Sequence, residues 1–112
     1  DFLYIEHFAV KEEYRNGGYG GMLLDALLAE KKRPMVLEVE LPEDALTRRR
    51  IGFYERHGLV FNSYPYLQPP MRKGQGVLPL RLMTKPAAID AKTYQRYKKR
   101  IHSIVYKYEG DL

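Results

Sequence analysis

Four glycines fall within residues 17–21, with only Tyr19 between them, and the chain passes from them directly into Met22-Leu-Leu-Asp-Ala-Leu-Leu28. Each glycine costs a helix about 1 kcal/mol relative to alanine, so a bare backbone just ahead of a helix-forming run needs a reason. The flanks indicate one. Upstream, residues 2–10 alternate Phe2/Tyr4/Glu6/Phe8/Val10 against Leu3/Ile5/His7/Ala9, mostly apolar on both faces, as in an interior strand covered on both sides. Downstream, Leu23, Leu24, Leu27 and Leu28 share one helical face, cations fill the last turn and Pro34 ends the run. A second strand follows at 35–41, with Leu37/Val39/Leu41 alternating against Glu38/Glu40. A strand, glycine turn, helix and strand in that order favour parallel pairing of the two strands. The turn lets the backbone approach a ligand, and the first helical turn offers unpaired N–H groups to an anion. Hydrogen bonds to a charged acceptor contribute about 1.5–3 kcal/mol each, enough to outweigh the glycines. Neither Gly-x-Gly-x-x-Gly nor Gly-Lys-Ser/Thr occurs here. The spacing present is Arg15-x-x-Gly18-x-Gly20.

The remaining pattern fits one modest domain, which is what 112 residues allow. Pro42-Glu-Asp44 supplies acidic residues and a proline suited to the first turn of a helix that runs through Leu46, Ile51, Phe53 and Tyr54 and that Gly58 closes as a C′ residue. A short strand is expected at 59–62, a loop at 63–76 and a strand at 77–84 that Pro79 pushes toward an edge or a bulge. Residues 90–108 place Tyr94, Tyr97, Ile101, Ile104, Val105 and Tyr108 at helical spacing among Lys and Arg. With no cysteine there is no disulfide, thiolate chemistry or Cys-based metal centre, and His7, His57 and His102 lack ligand spacing, so no metal is expected. No apolar run is long enough to span a membrane and no signal pattern is visible, which points to a soluble, cytoplasmic chain. A net charge of +5 favours anionic partners in general. Because the chain begins at Asp1, already inside an element, it reads as a fragment of a larger domain.

The Arg15-x-x-Gly18-x-Gly20 spacing, close behind Phe8-Ala9-Val10, resembles the acetyl-CoA loop of the GNAT superfamily of N-acetyltransferases. A second segment, Thr47-Arg-Arg-Arg-Ile-Gly-Phe-Tyr-Glu-Arg-His-Gly-Leu59, is similar to the family's later helix with its Phe-Tyr pair and following Gly. The resemblance covers about residues 2–84, the second half of that fold from its fourth strand onward. Thr47 stands where many members have Asn, which leaves a side-chain contact to the cofactor open. The implied architecture is α/β: a GNAT-like mixed sheet with flanking helices, truncated on its N-terminal side. Residues 1–84 would then be the acetyl-CoA-binding part, and 85–112 a basic amphipathic helical extension.

The resemblance also implies roles. Phe8, Ala9 and Val10 would pair with the pantetheine arm of acetyl-CoA, and Arg15, Asn16, Gly17, Gly18, Tyr19, Gly20 and Gly21 would bind its pyrophosphate. Tyr54 matches the family's general acid; a phenol is protonated at neutral pH and can donate to a leaving sulfur. Glu6 sits where some members keep a base. Its apolar neighbours Tyr4, Phe8 and Val10 favour proton uptake, although a hydrogen-bonded core carboxylate fits the position equally. Arg48, Arg49, Arg50 and Arg56 either meet the cofactor's 3′-phosphate or solvate a helix face. The aromatics of Tyr64-Pro-Tyr66 either line an acceptor pocket or stiffen a surface loop.

The expected activity is therefore acetyl-CoA-dependent transfer to a primary amine of a small molecule or peptide, by direct attack. Two other classes compete with it. One is a basic nucleic-acid-binding module built on Lys92, Arg96, Lys98, Lys99, Arg100 and Lys107, against which stands the absence of base-stacking sheet motifs. The other is a non-catalytic assembly domain of the same fold. An apolar strand left at a sheet edge recruits partners, so a homodimer or contact with a missing N-terminal segment is expected.

Overall fold

The computed structural model describes residues 2–5, 33–70, 74 and 76–112. These form β1 (Leu3–Ile5), β2 (Met35–Glu40), α1 (Ala45–Arg56), β3 (Val60–Gln68), β4 (Leu78–Lys85) and α2 (Ala91–Ile104). The strands make one mixed sheet in the order β1-β2-β4-β3. β1 runs parallel to β2, with Leu3 opposite Met35 and Ile5 opposite Leu37, the pairing that an intervening crossover favours. β4 is antiparallel to both of its neighbours.

The period-two alternation of β2 sorts its side chains between two cores. Met35, Leu37 and Val39 pack with Met83 of β4, Leu59 and Ile51 of α1. Val36, on the other face, packs with Leu80 and Leu82 of β4, Tyr66 of β3 and Tyr94, Tyr97 and Ile101 of α2. A helix thus covers each face, and the glutamates of β2 do not share a solvent face. Glu40 is exposed and pairs with Arg50 at 3.1 Å, whereas Glu38 turns toward the tyrosines of the α2 side.

Both ends of α1 have local causes. Asp44 is the N-cap: its carboxylate accepts from the Thr47 N–H at 2.8 Å while the Thr47 hydroxyl accepts from the Asp44 N–H at 3.2 Å. Pro42 therefore stands ahead of the helix and not in its first turn. At the other end Gly58 has φ +92°, and two reversed hydrogen bonds close the helix, Gly58 N–H to Glu55 O and Leu59 N–H to Tyr54 O. This is the glycine stop expected from the sequence.

Two boundaries and the place of one strand differ from the sequence reading. β3 continues through Tyr64-Pro65-Tyr66, where a loop was expected. Its pairing with β4 breaks between Asn62 and Tyr66, so Pro65 lies in a bulge where a missing N–H costs no ladder bond. The buried Asn62 amide ties this bulge down, donating to Leu82 O and Thr84 Oγ1 and accepting from the Ile89 N–H. β4 is interior despite Pro79, because β2 reaches only to Leu80 and leaves the proline without a partner on that side. Finally, α2 ends at Ile104, four residues before Tyr108. Lys107 adopts a left-handed φ of 56°, and the Tyr108 N–H returns to the His102 carbonyl.

Candidate active site

Tyr54 lies in the last turn of α1, half-buried against the Met35/Leu37/Met83 core, with its ring edge-on to Phe53 at 5.5 Å. Burial pushes its pKa up, and the nearby Arg50 guanidinium only partly offsets that. The phenol is therefore held protonated, as a proton donor must be. Its backbone is equally constrained, since the Tyr54 carbonyl accepts from both His57 and Leu59 in the glycine stop. Phe53 also packs on the His57 ring at 4.8 Å, which accounts for His57 in structural terms.

On the opposite face of the sheet is a group that sequence reasoning missed. The Glu38 carboxylate accepts three phenolic hydroxyls: Tyr4 of β1 and Tyr106 beyond α2 on Oε1, each at 2.6 Å, and Tyr66 of β3 on Oε2 at 2.5 Å. Gln68 donates to the Tyr106 oxygen at 2.9 Å. Burial is the main cause that raises all three phenols, with the Glu38 charge and hydrogen bond adding to it; Tyr106 is pushed up to about 12. Three neutral donors thus converge on one anion in a partly dry site. Beside them the buried His102 ring lies 5.3 Å from that of Tyr66, and its Nε2 has no hydrogen-bond partner among the described residues. Desolvation lowers its pKa, so it stays neutral. A carboxylate inside the apolar run Met35-Val-Leu-Glu-Val39 was the available signal for this hub.

The other expected residues divide as follows. Glu6, Phe8, Ala9, Val10, Arg15, Asn16, Gly17, Gly18, Tyr19, Gly20 and Gly21 lie outside the described residues. Arg48, Arg49, Arg50 and Arg56 are exposed; Arg50 pairs with Glu40, and Arg48 reaches the Pro42 carbonyl at 3.4 Å. Tyr64 and Tyr66 belong to a strand. Tyr66 is 1% exposed on Glu38, and Tyr64 stacks on Tyr94 at 4.9 Å and donates to the Ile89 carbonyl. Thr47 serves the cap of α1. Tyr54 and Glu38 belong to different faces, so the structure does not bring them together. No helix among the described residues is long and apolar enough to cross a membrane.

Comparison with known proteins places this geometry. The acetyltransferase (GNAT) domain family matches residues 1–59. Among solved structures, a protein from Bacteroides thetaiotaomicron assigned to the GNAT family of acetyltransferases is 43% identical, with a TM-score of 0.87 over 95% of this chain. The chain spans 60% of the length of that relative. No curated protein matches it. With the family match over more than half of the chain and the sheet and helices superposing on a relative of the same family, the chain belongs to the GNAT acetyltransferases.

Proposed function

We propose that the protein transfers an acetyl group from acetyl-CoA to a primary amine of a small molecule or peptide by direct attack. The observation that carries this reading is Tyr54: a phenol kept protonated by burial, at the end of the helix that covers β2, in a chain of an acetyltransferase family. A protonated phenol suits a departing thiolate, so the described part of the site fits acetyl-CoA chemistry.

When bound, acetyl-CoA supplies the acetyl group as an activated thioester. In this reading the main-chain amides of Arg15, Asn16, Gly17, Gly18, Tyr19, Gly20 and Gly21 would hold the pyrophosphate, and Phe8, Ala9 and Val10 would align the pantetheine arm. The amine nitrogen forms the new C–N bond as the C–S bond breaks. Glu6 takes the proton that the amine releases, directly or through water, and Tyr54 gives its phenolic proton to the sulfur. We place this activity in the cytoplasm and expect self-association through β1, outermost in the sheet among the described residues, or through α2, or else contact with an N-terminal segment, measurable by light scattering.

Thiol release from acetyl-CoA, followed with a thiol-reactive dye over a panel of primary amines, tests the reading. Loss of a general acid predicts a fall in kcat of about 100-fold in Tyr54→Phe, with the acetyl-CoA KM little changed. Full turnover by that variant removes Tyr54 from the chemistry. No turnover with any amine, together with no heat of acetyl-CoA binding to the folded chain, removes the transferase reading.

A further inference from the structure

Between β1 and the last turns of α2 lies a cavity of about 170 Å³, lined among the described residues by Phe2, Tyr4, Arg100, Ile101, Ile104 and Val105. Four of its walls are purely hydrocarbon. Tyr4 also lines it, and its hydroxyl is committed to Glu38. Arg100 is the one charged residue of this lining. It is exposed, and no carboxylate among the described residues forms an ion pair with it. Ile104, four residues on and therefore on the same helix face, also lines the cavity. Exposed Arg96 and Lys99 add to the positive potential of this helix.

An apolar cavity of roughly 150 Å³ accommodates one benzene ring, so the space suits one ring or one branched chain. A cation would be repelled by Arg100, and an uncharged hydrocarbon would leave its five donors unused. We propose that this cavity binds a small carboxylate carrying a single aromatic ring or branched aliphatic chain, with the body against Phe2, Tyr4, Ile101 and Ile104 and the carboxylate on the Arg100 guanidinium. That planar fork matches a carboxylate bidentately, and this specifies the charged end of the ligand. The proposal needs neither Tyr54 nor the glycine turn.

Phenylacetate is the probe, titrated into the full chain carrying isotope-labelled isoleucine methyl groups and followed by NMR. The expected result is a saturable shift of Ile101 and Ile104 with a Kd on the order of 1 mM, the range for a fragment of this size. Ile51, in the core across the sheet, should stay still. Arg100→Gln, at an exposed position that folding tolerates, should weaken binding at least about tenfold. Phenethylamine, with the same ring and the opposite charge, should not compete. The proposal is overturned if phenylacetate moves neither methyl at roughly twentyfold that concentration, if Arg100→Gln binds as well as the parent, or if phenethylamine binds equally. Because the readout involves no acetyl-CoA, a failure here is distinguishable from a failure of the transferase reading.

Discussion

Removing the carboxylate of Glu38 strands three phenols at once, and the cost can be worked from their surroundings. Tyr66 is 1% exposed and donates only to Glu38, so Glu38→Ala leaves a buried hydroxyl unsatisfied at about 2 kcal/mol. Tyr4 and Tyr106 are half-buried and can recruit water, and Tyr106 keeps the Gln68 bond, so each should lose closer to 1 kcal/mol. The sum is about 4 kcal/mol, a large share of the 5–15 kcal/mol that holds a domain together. Glu38→Gln keeps the shape but turns one acceptor into a donor facing a phenol, for about 2 kcal/mol. Urea unfolding followed by circular dichroism reads these values. With a slope near 1.5 kcal/mol per molar, the midpoints should fall by roughly 2.7 M and 1.3 M. A cycle with Tyr66→Phe should show a coupling of at least about 1 kcal/mol with Glu38. A midpoint loss under about 0.3 M for Glu38→Ala, or additive single and double variants, would refute the hub as a stabilising element.

Three further outcomes follow from the same geometry. Tyr106, held up to about 12 in the fold against an ordinary value of 10, contributes stability that is complete below pH 10 and lost as pH rises through about 12; denaturant midpoints measured toward that range should decline, less steeply in Tyr106→Phe. His102 carries the opposite sign: its lowered pKa gives stability present above its ordinary 6.5 and lost as pH falls below that value, so His102→Gln should flatten the acid side of the stability profile. Gly58→Ala places a side chain at φ +92° with its Cβ 2.9 Å from Lys85 Nζ. It should destabilise by about 1–2 kcal/mol and, because the same stop anchors the Tyr54 carbonyl, lower turnover by more than the fraction unfolded explains.

What could be read in the sequence was local or carried by short contiguous motifs. Gly58 ends α1 because a single residue must take positive φ, and that requirement is visible without any partner. The parallel pairing of β1 with β2 is what the strand, helix, strand order expected from the sequence favours. The family, too, was legible in two segments of about ten residues each, although the glycine turn that carries the expected cofactor contacts lies outside the described residues.

Tertiary structure alone decided the rest. Glu38 looked like one half of a polar stripe with Glu40. Its role depends on Tyr4, Tyr66 and Tyr106 arriving from 34, 28 and 68 residues away, and no periodicity within a strand encodes such a meeting. Likewise Pro65 argues against a continuous strand and Pro79 against an interior one, yet a bulge and the limited reach of β2 release both from the ladder. Short-range steric rules are written into each residue, whereas the partner of a buried polar group is chosen only when distant elements pack and exclude the water that would otherwise satisfy it.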